Sequence, residues 1–477
     1  MTSTPPGTSQ GRRAPLHRDA IVIGSIGAAL RVAVVVWAAG RFPPVEDGRF
    51  YHQLATRIAE GQGYTWRWPD GVVTFVAHYP VGYPGLLASL YATLGPSPTW
   101  GMLLNAALGA LGVIAVHRVV AASSGRVGAG LAATAVAIHP ALVLYTPALM
   151  TEGVTAALFA IAAWVVVLAR GSTRPVGWWV LLGGLLGLTT LVRGQSLLVM
   201  PVFAVMAGWT GRAPSWRSLT RSTLVTTLAT ACVVLPWTFR NCQRMDRCVV
   251  VSANVGWNLL IGATEGATGT FVPISGESVP EACRNVFGEA DKDACFAREA
   301  IALVRARPMR WLGLVPRKLA HTFEYCGAAG WYLRASSPGD FSERAKLSLG
   351  IAETVLQRAL LLLALVSVGR TPGSRATARK IGVGLAAPLL LTPFAWIAYV
   401  VLAVATALLG RRLIERPALG LGVAVLAATL VTHAAFFGAG RYSLVVFPLV
   451  AAMAGTAIVG RREAEDRSRF DISRATG

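Results

Sequence analysis

AIVIGSIGAALRVAVVVWAAGRFPPVEDGRFY, residues 20–51, sets the character of the chain. The apolar run 20–40 has the length, about 20 residues, at which a helix crosses the hydrocarbon core of a bilayer. A polar, aromatic stretch carrying Glu46 and Asp47 follows at once. Arg12, Arg13 and Arg18 precede the run, so the positive-inside bias puts the N-terminus in the cytoplasm and residue 41 outside. Arg31 falls within the span, where a guanidinium faces a bundle interior or snorkels to the interface. The start, MTSTPPGTSQGRRAPLHR, is polar and basic and leads into the span without a small-residue cleavage site. It reads as a disordered cytoplasmic tail over 1–19 and not as a cleavable signal.

The rest of the chain repeats this pattern. Of 477 residues, 54% are hydrophobic and 14% charged, with mean hydropathy +0.54. Soluble domains carry about a quarter charged residues. Lipid is therefore the solvent for most of the chain, and the backbone must be satisfied inside helices. The formal net charge of +21 comes from Lys and Arg in short turns such as SSGR, ARGSTR, GRAPSWRSLTR, RTPGSRATARK and GRREAEDRSR. That spacing is topological, and it argues against nucleic acid as the partner.

Alternating the basic turns with polar outer ends lays out an all-α polytopic membrane protein of about 12 crossings, both termini inside. The crossings are expected at 20–40, 101–120, 127–143, 153–169, 176–192, 195–210, 220–239, 347–369, 417–437 and 442–460. The block 381–409, broken by Pro388 and Pro393, reads as a short hairpin. Residues 79–95 are apolar but short and carry Pro80 and Pro84, so they read as an interfacial or re-entrant helix on the outer face. This gives an N-terminal membrane module over 20–239 with an outer loop at 41–80, an outer region over 240–345, a C-terminal module over 346–460 and a cytoplasmic tail over 461–477. No inverted or parallel repeat of the transporter kind is evident.

Cys242, Cys248, Cys283 and Cys295 all fall in the outer region. An oxidising exterior would pair them. The short spacings suggest Cys242–Cys248 and Cys283–Cys295, although four cysteines allow three pairings. No His lies between them and no C-x-x-C spacing occurs, so zinc is the weaker reading.

The acids of this lipid-soluble chain sit where spans meet the outer surface: Glu46 and Asp47 after the first span, Glu152 at the outer end of another. Arg193, Arg240 and Arg441 fall at outer ends too. A carboxylate there can act as general base on a hydroxyl or amine, and arginines can bind a phosphate leaving group in bidentate fashion. The plainer alternative is surface ion pairs and helix ends. Aromatics surround the acids: Phe50, Tyr51, Tyr64, Trp66, Trp68, Tyr79 and Tyr83. They suit either an interfacial belt or a sugar-stacking surface. No cluster with metal-ligand spacing is visible; no obligatory metal is expected, and a divalent ion is not excluded.

These motifs, taken in order, resemble the superfamily of protein O-mannosyltransferases and aminoarabinose transferases, polyprenyl-phosphate-sugar-dependent enzymes of the C-type glycosyltransferase fold. EDGRFYHQLATRIAEGQGYT, residues 46–65, looks like its first outer loop. HYPVGYPGLLASLY (78–91) is similar to its proline-tyrosine segment, and LYTPALMTEG (144–153) to its second acidic motif. GLTTLVRGQSLLVMP resembles its Gly-Leu…Arg segment. PWTFRN (236–241) with SANVGWNLLIG (252–262) resembles the start of its large outer loop, and GRYSLVVFPL (440–449) its closing Arg-Tyr…Pro motif.

The resemblance implies an inverting glycosyltransferase of the plasma (inner) membrane with its site on the outer face. It would take a monosaccharide from a polyprenyl-phosphate donor to a lipid, glycan or protein acceptor. Asp47 would be the catalytic base, with Arg240, Arg441 and Arg193 at the donor phosphate. Glu46, Tyr51, His78, Tyr83 and Glu152 would shape the pocket. A transporter or flippase of lipid-linked sugars, or an oligosaccharide polymerase or ligase, are the rival readings.

Overall fold

Gly125 decides how the N-terminal half is laid out. The computed structural model describes residues 10–209, 215–372 and 375–458, with side chains from residue 18 onward. The tail residues 1–9, the side chains of Arg12 and Arg13, residues 210–214 of the GRAPSWRSLTR turn and the 461–477 tail lie outside the described residues. The first span is α1 (Gln10–Ala38), so residues 10–19, expected as tail, continue it as helix. After it follow α2 (Asp47–Ala59), an antiparallel hairpin of β1 (Thr65–Arg67) and β2 (Val73–Phe75) with Thr65 opposite Phe75, and α3 (Gly82–Leu94) packed on α2. A 13-residue helix such as α3 is too short to cross the hydrocarbon core, in keeping with an interfacial element.

Next, α4 (Pro98–Ile138) is interrupted at Gly125, whose φ of 77° and ψ of −177° are not helical. Its two limbs fold back on each other. A Cβ on Gly109 would strike Arg31, and the same Arg31 donates to the Ala137 carbonyl at 3.2 Å. On a straight helix residues 109 and 137 would stand about 42 Å apart. Only a residue tolerant of positive φ can make this turn cheaply.

The chain continues through α5 (Pro140–Leu144), α6 (Thr151–Gly171), α7 (Val176–Val192), α8 (Met200–Gly208) and α9 (Trp216–Arg244). The outer region holds α10 (Val255–Ile261), α11 (Glu289–Ala306), α12 (Pro308–Phe323) and α13 (Ala328–Ser336). The return runs through α14 (Glu343–Arg370), α15 (Ala376–Ala386), α16 (Ala395–Ala407), α17 (Arg411–Glu415), α18 (Pro417–Ala435) and α19 (Phe447–Gly455).

Six of these helices are long and apolar enough to cross a membrane: α1, α4, α6, α9, α14 and α18. The second limb of α4, the shorter apolar segments Val176–Val192, Gly194–Gly208, Ala395–Ala407 and Gly440–Gly455, and α15 occupy the remaining expected crossings. The chain is a mostly helical integral membrane protein, with the β1–β2 hairpin its one sheet among the described residues. As expected for 381–409, α15 and α16 are separate helices packed together, joined through the turn Pro388–Leu391.

The buried Arg31 explains the junction of α4 and α5. Pro140 has no N–H to give the Val136 carbonyl. Arg31 Nη2 supplies one at 3.2 Å, while Nη1 reaches Ala137 O at 3.2 Å and Gly27 O at 3.0 Å. A guanidinium also suits the carbonyl end of a helix. In the outer region Cys242 is bonded to Cys248 and Cys283 to Cys295. Its core, Leu260, Ile261, Phe296 and Ala300, continues into Phe437 and Tyr442 of the C-terminal module.

Replacing Arg31 by Met should strand these carbonyls out of reach of water. An unsatisfied buried acceptor costs about 1–3 kcal/mol, so the thermal midpoint of the detergent-purified protein should fall by several degrees. Arg31→Lys should recover part of the loss. Equal midpoints for Arg31→Met and wild type would remove Arg31 from this role.

Candidate functional site

Glu152 gathers the site. It stands in the first turn of α6, where the helix dipole favours an anion, and its side chain is 3% exposed. Its Oε1 faces Arg193 Nη1 at 3.1 Å and Arg441 Nε at 3.5 Å. Its Oε2 accepts from the Tyr145 hydroxyl at 3.2 Å. Arg193 Nη1 also donates to Thr151 Oγ1 at 3.1 Å. Arg441 Nη2 continues the line to Asp47 Oδ2 at 2.9 Å. Asp47, Arg441, Glu152 and Arg193 thus alternate in sign along one chain of contacts.

Matching local sequences deliver the two arginines. SLLVMP (196–201) follows Arg193 and SLVVFP (443–448) follows Arg441. In both, a 3-10 turn, Gly194–Val199 or Gly440–Val446, feeds a helix with proline in its first turn. Both serines, Ser196 and Ser443, are fully buried. Ser443 Oγ closes its turn on Gly440 O at 2.7 Å, and Ser196 N closes the other on Arg193 O at 2.9 Å. This short repeat was readable in the sequence, although no repeat is evident at the scale of whole modules.

Asp47 opens α2 just after Glu46, whose φ of 51° is in the left-handed region. A non-glycine residue there is strained, and strain of this kind clusters at functional sites. Gly48 lets the helix start nestle in: a Cβ there would meet Leu149 O at 3.1 Å and the Tyr332 hydroxyl at 3.2 Å. The second Asp47 oxygen accepts from the Tyr79 hydroxyl at 3.1 Å. Burial and the nearby Asp47 charge push the Tyr79 phenol up, so it stays a donor. Behind Asp47 the aromatics stack on one another: Trp66 on Phe50 at 4.9 Å, Phe50 on Tyr79 at 5.2 Å, and Tyr79 edge-on to Tyr51 at 5.2 Å.

The other expected residues are more scattered. Tyr51 is buried between Tyr79 and Tyr83, and burial, then Asp47, raises its phenol. Tyr83 is anchored to Asn105 at 3.0 Å, and Asn105 in turn to the carbonyls of Thr146 and Ala148. His78 sits edge-on to Tyr79 and Trp257, and burial lowers its pKa. Glu46 is exposed.

Arg240 is not part of the charged chain. Its guanidinium donates to Tyr64 O at 2.7 Å and Val76 O at 2.9 Å, and lies 4.7 Å from the Trp237 ring. It pins the 41–80 loop to α9. Sequence position gave its place near a helix end but not the direction in which it points.

Several site residues were not singled out from the sequence. Tyr145 supports Glu152. Trp331 of α13 lies 5.5 Å from the Arg441 guanidinium. The Tyr442 ring faces Arg193 at 4.9 Å and Arg441 at 5.2 Å, and His433 stacks on it at 4.3 Å with its Nδ1 2.9 Å from Phe437 O. Tyr442, next to Arg441, had a signal in its neighbour; His433 had none. Among the described residues no group of three or more His, Cys, Asp or Glu side chains could hold a metal ion.

Residues 80–237, about a third of the chain, match the family described as dolichyl-phosphate-mannose-protein mannosyltransferase. This match upholds the resemblance to the C-type glycosyltransferase superfamily read from the motifs. No curated protein sequence matches significantly.

Among solved structures, the Archaeoglobus fulgidus oligosaccharyltransferase tethered with an acceptor peptide overlays on 92% of this chain and 49% of its own, at 13% identity and TM-score 0.46. The oligosaccharyltransferase AglB of the same organism, in complex with an inhibitory peptide and a dolichol-phosphate, overlays on 96% and 51%, at 15% identity and TM-score 0.45. ArnT from Cupriavidus metallidurans bound to undecaprenyl phosphate overlays on 94% and 78%, at 17% identity and TM-score 0.36. The present chain thus spans about half the length of these archaeal enzymes.

Glu152→Gln should destabilise the protein more than Asp47→Asn. The first strips a 3%-exposed anion from between two guanidiniums, whereas the Asp47 side chain is 32% exposed. Breaking a buried pair costs about 3–5 kcal/mol, and partly exposed arginines reduce that to about 2–3 kcal/mol here. Thermal unfolding in detergent measures the difference, and the reverse order would overturn this view of Glu152.

Proposed function

We propose that this protein is a membrane glycosyltransferase that moves a monosaccharide from a polyprenyl-phosphate donor to an acceptor on the outer face of the plasma membrane. One observation carries the reading: the alternating chain Asp47–Arg441–Glu152–Arg193, gathered at the ends of apolar helices in a protein whose 80–237 segment matches the mannosyltransferase family. A lipid-linked phosphate brings its head group to that depth while its tail stays in the bilayer.

In this reading Arg193 and Arg441 bind the donor phosphate. Planar guanidiniums suit bidentate phosphate contacts and stabilise the charge that grows on the departing oxygen. Asp47 takes the proton from the acceptor hydroxyl or amine as that atom attacks the anomeric carbon. The bond from the anomeric carbon to phosphate oxygen breaks, polyprenyl phosphate leaves, and the configuration inverts. Tyr79 and Arg441 hold the Asp47 carboxylate in place. Arg240 acts apart from the phosphate, as the clamp on the outer loop.

Asp47→Asn keeps the shape and removes the proton acceptor. General-base catalysis contributes about 10²–10⁴-fold, and release of polyprenyl phosphate from a lipid-phosphate sugar should slow by that much. Arg441→Ala should weaken donor binding, and Glu46→Gln should be mild. Normal turnover by Asp47→Asn with loss in Glu152→Gln would move the base. Normal transfer in all of these variants would sink the enzyme reading.

The outer-face placement has its own test. In a background with Cys232 and Cys326 replaced by Ala, a cysteine at Glu60 should react with an impermeant thiol reagent on intact cells. A cysteine at Thr173 should not. Labelling of both would overturn the topology.

A further inference from the structure

α11 carries two carboxylates four residues apart, Glu289 and Asp293, on one face of its first turns, and both grip backbone of other elements. Asp293 accepts from the N–H of Trp257 at 3.0 Å, at the head of α10. Glu289 accepts from the N–H of Ala77, with His78 N–H beside it. The Ala77 carbonyl is held in turn by Ala253 N–H at 2.8 Å. Two residues further along the same strand of chain, Tyr79 donates its hydroxyl to Asp47 at 3.1 Å.

We propose that Glu289 is a positioning residue for Asp47: through the 77–79 segment it sets where the Tyr79 hydroxyl meets the carboxylate, and so couples the outer cap to the reaction. The proposal rests on Asp47 being the base. Cys283–Cys295 stiffens the stretch that leads into α11, and Cys242–Cys248 closes the turn at the end of α9; the Glu289 contact itself links α11 to the loop.

The coupling depends on pH. The groups facing Glu289 are Arg240 from α9, Asp293 on its own helix, and Tyr64 and His78 from the loop. Burial, the largest influence, lifts its carboxyl from 4.5 to about 7, with the N–H donors and Arg240 pulling the other way. A carboxyl whose pKa rises when the cap closes favours closure while it is protonated. Closure is therefore most favoured in acid, loses ground as pH rises from 4.5 towards 7, and changes little beyond.

Amide hydrogen exchange of peptides covering 73–80 in the full-length detergent-purified protein, corrected for intrinsic rates, tests this without substrate. Between about pH 5 and pH 8 wild-type protection should fall on the order of tenfold, whereas Glu289→Gln should show equal protection at both. Glu289→Asp, which withdraws the carboxylate from the amides, should lose protection at both and serves if the Gln variant fails to fold. No change in wild type, or the same change in Glu289→Gln, overturns the clamp.

Transfer assays test the second half: Glu289→Asp should slow the reaction several-fold, and should add nothing in a Tyr79→Phe background. Additive losses overturn coupling through Tyr79. Normal transfer by Asp47→Asn would instead defeat the proposed function, and the catalytic half of this proposal with it, while the exchange result still decides the clamp.

Discussion

One carboxylate, Glu152, itself nearly out of reach of water, holds two partly exposed guanidiniums. In that environment an unpaired charge is far more costly than at the surface, so the three side chains fix one another. The helices that carry them are fixed as well: the head of α6, the tail of α7 and the 3-10 turn before α19. Asp47 joins through Arg441 and brings the head of α2 with it. The spans can be assembled by apolar packing alone, but the meeting of their outer ends rests on this charge pattern.

The pattern bears on the proposed reaction. Two carboxylates and two guanidiniums sum to zero, so the resting site has no surplus positive charge for a phosphate. A donor phosphate must share Arg193 and Arg441 with Glu152 and Asp47. Glu152, buried and held by Tyr145 as well, is the harder to displace. Asp47, more exposed and joined to Arg441 by one contact, yields first. In this scheme donor binding itself loosens the carboxylate that must then take a proton.

Much of the fold was legible because a bilayer imposes a length and a sign rule on sequence. The apolar blocks, the broken 381–409 hairpin and the place of Asp47, Glu152, Arg193 and Arg441 at the ends of helices all follow from them. Those rules give depth and not direction around a helix axis. Arg240 shows the limit: it stands near the end of α9, yet its guanidinium turns to the Tyr64 and Val76 carbonyls. Trp331 and Glu289 were hidden because each matters through a neighbour far away in sequence, and Tyr145 and His433, whose partners lie within ten residues, because the direction of their side chains cannot be read from spacing. Glu289 and Asp293 look like ordinary acids at a helix start, where the dipole alone would place them. The short cysteine spacings, by contrast, carried enough local constraint to suggest the pairs that form.

The two disulfides also set a sequence of events in the birth of the protein. In the proposed topology the cap lies on the outer face, and its cysteines meet an oxidising compartment only after α9 has been inserted and the loop has crossed. Membrane insertion must come first and covalent locking of α11 second. A host that inserts the spans but lacks a thiol oxidant on the far side would produce a chain with the full helical bundle and an unfastened cap. Such material could extract and purify like the mature protein, so bond formation in the cap is a separate measure of its quality.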